Sequence, residues 1–190
     1  AGVAHMSAAL HTLLNDSLEQ HRALTRGTEA ARFVAPSDFF FVYQDRAGFE
    51  ADAYGWDNRR DHGFDLELIE GQAIREVEPI LGPEVGCIAR TTGHGHILDP
   101  GGYMQALADV LTAEGGSVRQ SEVTDFTLSG GRITQVETAA GPLPCDHAVL
   151  AAGIWSKPLM AKLGLKVPLE VERGHHLHLR GPSAQPKTPM

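Results

Sequence analysis

Cysteine is scarce: only Cys87 and Cys145 occur in 190 residues. Two thiols cannot form a disulfide framework. They are expected to be buried and inert, which fits a reducing compartment, with the cytoplasm as the default. Long apolar runs are missing as well. The longest stretches, such as Ala148–Ala152, fall far below the ~20 residues a membrane-spanning helix needs. No block of Lys or Arg stands out, and the formal net charge is −8. An acidic surface repels phosphate backbones, so no nucleic-acid partner is expected. Internal repeats and low-complexity tracts are also lacking, and no secretory leader is expected; Ala1–Met6 read as vector-derived, and both ends look cut, as in a fragment.

What is present is the composition of a folded domain. Hydrophobic residues make up 42% and charged residues 21%, enough for one sizeable core or two modest subdomains. Leu10, Leu13, Leu14, Leu18, Ala23 and Leu24 recur at helical spacing, so one amphipathic helix is expected over about residues 8–26, ended by Gly27. Phe39–Tyr43 form an aromatic, β-branched run that reads as a buried strand. Residues 47–60 read as a helix, 65–69 as a half-buried strand, and a short helix follows Gly71 and ends before Pro79. Asp99 and Pro100 open the clearest helix, closed by Gly115-Gly116. Ser129-Gly130-Gly131 separates two strands as a hairpin turn. Residues 146–152, apolar in their second half and bounded by Gly153, have the pattern of a strand buried on both faces in a parallel sheet. Residues 155–163 read as a helix, 168–180 as one long strand, and Gly181–Met190 as a loop.

Four pieces in a fixed order carry a family likeness: Leu98-Asp99-Pro100-Gly101-Gly102-Tyr103, the helix to Gly115-Gly116, Ala148–Ser156 with its Ala151-Ala152-Gly153 core, and Val167–His176 with Pro168-Leu169-Glu170 and Arg173-Gly174-His175-His176. Together they resemble the FAD-dependent D-amino-acid oxidase superfamily, which includes glycine and sarcosine oxidases. The Arg-Gly-His-His version looks most like D-amino-acid dehydrogenases. The physics agrees: a strand ending in Ala-Ala-Gly lets backbone approach a bulky ligand, and in doubly wound sheets ligands lie at the carboxyl ends of strands.

The resemblance implies an α+β or α/β fold, in which a substrate-binding domain of mixed sheet and flanking helices adjoins part of the parallel FAD-binding sheet. It implies a first substrate-binding part at 7–98, a partial FAD-binding domain at 99–166 and a second substrate-binding part at 167–190. FAD is the implied cofactor, with Val123, Ala151, Ala152, Gly153 and Trp155 beside it. The implied reaction is oxidation of an amine or amino acid to an imine, hydrolysed to keto acid and ammonia. The flavin carries the redox chemistry, so no catalytic side chain is named. Tyr43, His94, Arg173 and His176 are candidate substrate contacts, although Tyr43 reads better as a core aromatic with a wet hydroxyl and Arg173 also as an ion-pair partner of Glu170 or Glu172. The electron acceptor is not specified.

One departure limits the expectation. The family's Gly-x-Gly-x-x-Gly turn, which places the pyrophosphate at a helix N-terminus, does not occur. Gly93-His94-Gly95 is followed by His96-Ile97-Leu98 and opens no helix. The family's closing segment over the flavin is also absent from these residues. The chain alone is therefore expected to bind FAD weakly or not at all and to be inactive. Glycine or sarcosine oxidase, a glycerol-3-phosphate dehydrogenase type, or a non-catalytic module with the same fold remain as alternatives. A zinc site is a further rival, because His94-x-His96 and His175-His176-x-His178 place imidazoles at alternating strand positions. With no Cys or carboxylate at ligand spacing, no metal is expected.

Overall fold

The computed structural model describes residues 2–175 and 180–190. Its contacts divide the chain into two compact units, residues 1–116 with 180–190, and residues 117–179.

The first unit is built on a three-stranded antiparallel sheet, β1 (Val34–Tyr43), β3 (Cys87–Ile97) and β2 (Leu66–Glu70), in the order β1-β3-β2. Alternation along the strands divides their side chains between two cores. On one face Cys87 and Ala89 pack with Phe49 and Trp56, flanked by Phe41, Tyr43, Leu66 and Leu68. Phe49 and Trp56 come from α3 (Arg46–Ala51) and α4 (Ala53–Asp61). On the other face Phe40, Ile69 and Ile88 pack with Ile74 of α5 (Ala73–Val77) and with Val77, Leu81 and Val85. The central strand is thus covered on both sides, and Cys87, Ile88 and Ala89 are fully buried.

Helices α1 (Gly2–Leu14) and α2 (Ser17–Thr25) precede the sheet. The single helix expected over 8–26 is broken at Asn15-Asp16, where Ser17 Oγ donates to the Leu14 carbonyl at 2.8 Å and Gln20 Nε2 donates to the Asp16 carboxylate at 2.8 Å. Gly27 then takes φ 76°, ending α2 as expected. The helix expected over 47–60 is likewise two, parted at Asp52, whose carboxylate accepts from Tyr43 Oη at 3.1 Å. α6 (Pro100–Ala113) starts as its sequence requires: Asp99 caps it by accepting from Gly102 N at 3.1 Å, with Pro100 in the first turn. α6 packs against the 3-10 turn Glu29–Phe33, within the first unit.

The second unit holds an antiparallel sheet of β4 (Val123–Ser129), β5 (Arg132–Thr138) and β6 (Leu143–Pro144), followed by α7 (Ser156–Lys162). Gly130 and Gly131 both have positive φ, 58° and 77°, the backbone a two-residue hairpin turn demands. Lys162 pairs with Asp125 at 3.0 Å, joining α7 to β4.

The mixed α/β class, small sheets with flanking helices, matches the expectation. Two strands do not. Residues 146–152 form no strand, and Val149 is 92% exposed. A strand buried on both faces needs flanking strands and two covering layers, and no described element supplies them. The piece of parallel sheet expected there is therefore not formed: both sheets among the described residues are antiparallel. Residues 168–175 also form no strand, and 176–179 lie outside the described residues. Conversely β3, the central strand, was not anticipated as one element. Among the described residues no helix is long and apolar enough to cross a membrane.

Candidate functional site

A cavity of about 410 Å³ lies in the first unit, between α2 and the distal end of β3. Leu14, Leu18, Phe64 and Ile97 wall it, and His21, His94 and His96 supply polar atoms. None of the residues lining it is acidic.

The position of His94 follows from a register irregularity. Ser37 lies opposite His94 and Phe39 opposite Thr91, so the single residue Asp38 faces two, Thr92 and Gly93. Gly93 takes φ 77°, a conformation that costs other residues ~1–2 kcal/mol. In a regular strand Thr91 and His94, three apart, would point to opposite faces. The extra residue re-aims the imidazole, and His94 Nε2 reaches Thr91 Oγ1 at 2.8 Å. The ring stacks on Phe64 at 5.8 Å and lies 6.0 Å from the ring of Phe39. Gly95 serves a different need: a side chain there would collide with Leu18 of α2 and sit 3.1 Å from the Ala35 carbonyl oxygen.

Burial pushes the His94 imidazole below its ordinary pKa of 6.5, against an opposing pull from the Asp38 carboxylate. At neutral pH it is an uncharged group offering one donor and one acceptor. His96 Nδ1 lies 3.2 Å from Ser37 Oγ, and His21 Nδ1 lies 2.7 Å from the hydroxyl of buried Tyr103. A second cavity, about 510 Å³ and more polar, shares Leu18, Gly93 and His94 and adds Glu19, Arg22 and Asp38. His94 therefore lines both a mixed cavity of leucine, phenylalanine and histidine side chains and an open, charged one.

The other sequence candidates do not join this cavity. Tyr43 is six residues along β1 from Ser37, about 20 Å at strand rise. Its hydroxyl is already engaged, accepting from Trp56 Nε1 at 2.9 Å and donating to Asp52, and burial raises its pKa. Arg173 belongs to the second unit and is exposed. Among the described residues no ion pair joins it to Glu170 or Glu172. His176 lies outside the described residues. Phe64 carries no sequence signal of its role, since an isolated apolar residue before a strand does not show what it faces, and Leu18 reads only as part of a helix's apolar face. Among the described residues no three His, Cys, Asp or Glu side chains converge as a metal site.

The cofactor candidates all fall in the second unit. Val123 opens β4, half-buried and paired with Thr138. Ala151, Ala152 and Gly153 are exposed, and Ala152 N donates to Ser156 Oγ at 3.1 Å. Gly153 has φ 54°, and a Cβ placed there would touch nothing. Trp155 is 75% exposed. Ala151, Ala152, Gly153 and Trp155 are thus exposed, whereas Val123 is half-buried in β4. These residues offer no cradle for phosphates.

Small antiparallel sheets with flanking helices in both units define a mixed α/β chain. Residues 2–190 match the family described as FAD dependent oxidoreductase, and the chain belongs to it. It is 32% identical over 188 residues to a D-amino-acid oxidase of Bradyrhizobium diazoefficiens, covering 99% of this chain and 44% of that protein. With a D-amino acid dehydrogenase of Cereibacter sphaeroides it shares 34% identity over 124 residues, 62% of this chain and 28% of the relative. Its fold resembles the crystal structure of L-proline dehydrogenase from P. horikoshii, with a TM-score of 0.66 at 20% identity over 84% of this chain and 42% of that one. The chain thus spans less than half the length of these relatives.

Proposed function

We propose that this chain is the substrate-side portion of a longer FAD dependent oxidoreductase that oxidises a small amino acid or amine. The single observation that carries the reading is the family match over residues 2–190 together with near-complete alignment to a D-amino-acid oxidase. In the reaction the substrate's H–C–N–H unit loses two electrons and two protons to become C=N, and one water then hydrolyses it to a carbonyl compound, an oxo acid when the substrate is an amino acid, and ammonia or an amine. FAD, when bound, supplies the two-electron acceptor chemistry.

The residues of this chain supply position and environment. His94, neutral and fixed by Thr91 and Phe64, offers a hydrogen bond to the substrate's amino or carboxylate group. Leu14, Leu18 and Ile97 receive the side chain and exclude water. A neutral imidazole does not neutralise a carboxylate, so the charge partner is a cation outside the lining of this cavity. Val123, Ala151, Ala152, Gly153 and Trp155 face the cofactor in this reading. The electrons pass on to an acceptor that the reading leaves open, and a reducing interior such as the cytoplasm suits the two free cysteines.

The test is the visible spectrum of the full-length oxidoreductase under anaerobic conditions, before and after D-amino acids, glycine, sarcosine or glycerol 3-phosphate are added separately. Bleaching of the flavin bands by an amino acid or amine is expected. Bleaching by glycerol 3-phosphate alone would overturn the substrate class.

A further inference from the structure

β1 is an edge strand, because the sheet runs β1-β3-β2. Its outward backbone groups are an open template for pairing. One of them is occupied: Phe40 N–H donates to the Pro189 carbonyl at 3.0 Å. Proline suits such an edge, since it lacks an N–H and contributes only its carbonyl.

Glu78, just beyond α5, explains why residues 187–189 lie there. Its side chain is 1% exposed, at the end of the element that supplies Ile74 and Val77 to the core. A buried carboxylate needs hydrogen bonds or a cation. Arg75, nearby in sequence, instead sends its Nη2 to the Gly82 carbonyl at 2.6 Å. No ion pair among the described residues includes Glu78. Its Oε2 accepts from the backbone N–H of Lys187 at 2.7 Å and of Thr188 at 3.3 Å. Two successive amides on one carboxylate oxygen make a charge-assisted clasp.

We propose that Glu78 is a buried latch that pins residues 187–189 against the free edge of β1 and so covers that edge at Phe40. The dependence runs both ways. Without the carboxylate the segment has no side-chain anchor, and without the segment's amides the carboxylate is buried with its charge unanswered. The latch also sits across β1 from the pairing that holds the re-aimed His94, since Phe40 faces Arg90 and Ser37 faces His94 on β3.

Hydrogen exchange at the Phe40 amide in the 190-residue chain, followed by NMR, reads the latch. Glu78→Ala is expected to speed that exchange ~10-fold or more, while amides in the β2–β3 pairing stay comparatively protected. Glu78→Gln keeps an oxygen acceptor and is expected to keep most of the protection. Lys187→Pro removes the stronger donor without touching α5 and is expected to reproduce the Glu78→Ala effect. If Glu78→Ala fails to fold, Lys187→Pro decides alone. Unchanged Phe40 exchange in Lys187→Pro would overturn the latch. So would equal acceleration at Phe40 and across β2–β3, which would reduce Glu78 to a contributor to general stability.

Discussion

Replacing Trp56 with alanine is expected to lower the unfolding free energy by about 3–5 kcal/mol, the range for truncating a fully buried large aromatic. Trp56 is 0% exposed and is the largest fully buried side chain. Its ring meets Phe41 edge-on at 5.0 Å and Phe49 at 5.6 Å. The guanidinium of Arg59 lies 4.6 Å above it and 4.5 Å from Phe41, a stacked cation that adds to the packing. Its Nε1 also anchors Tyr43 Oη, which in turn donates to Asp52 at the break between α3 and α4. Truncation therefore opens a cavity and loosens a polar chain at once. Trp56→Phe separates the two effects: it keeps much of the packing, loses the N–H, and is expected to cost about 1–3 kcal/mol. Urea titration followed by far-UV circular dichroism checks both values. A loss below about 1 kcal/mol for Trp56→Ala would show that this face of the sheet is not the packed core described here.

The second large effect is on activity. His94→Phe in the full-length oxidoreductase is expected to reduce kcat/KM for its amino-acid or amine substrate ~10-fold or more, the consequence of losing one well-placed hydrogen bond. The flavin spectrum should be unchanged, because the residue is read as facing substrate rather than cofactor. Phenylalanine retains the stacking on Phe64, so the loss is chemical more than steric. The same substitution alters the acid limb of stability. His94 has a folded pKa below its ordinary value of 6.5 because burial disfavours the imidazolium. As pH falls through ~6.5 the unfolded chain takes up a proton before the folded one, so the native state loses stability down to the folded pKa and no further. His94→Phe is expected to remove that increment, seen as a smaller drop in Tm between neutral and mildly acidic pH. Unaltered kcat/KM would take His94 out of the substrate site.

Elements fixed by local chemistry were legible in the sequence. Asp99-Pro100 capping, the aromatic run 39–43 and the Gly130-Gly131 turn each act within a few residues. The cap and the turn are observed as expected. The run is a strand, but a half-buried edge strand with only Phe40 buried rather than the buried strand expected. Elements that depend on distant partners were not. Residues 146–152 have a buried-strand pattern but no strand, because a strand is made by its neighbours. β3 was hidden by Gly93 and Gly95, which read as loop residues yet serve the register irregularity and the approach of Leu18. Among the site residues, the pattern pointed to His94, but its pairing with Thr91 and Phe64 arises only from the displaced register. Glu78 carried no sequence signal at all, since its partners lie 109 and 110 residues away.

The proposed function implies a division of labour, in which this chain supplies substrate contacts and FAD's phosphates are held by residues other than these 190. Equilibrium dialysis of FAD against the 190-residue chain and against the full-length oxidoreductase, side by side, tests it most directly. The account predicts saturable, stoichiometric uptake and a yellow colour for the full-length protein, with no saturable uptake by the chain alone. Tight stoichiometric binding by the isolated chain, or a full-length protein that takes up no FAD, would contradict it.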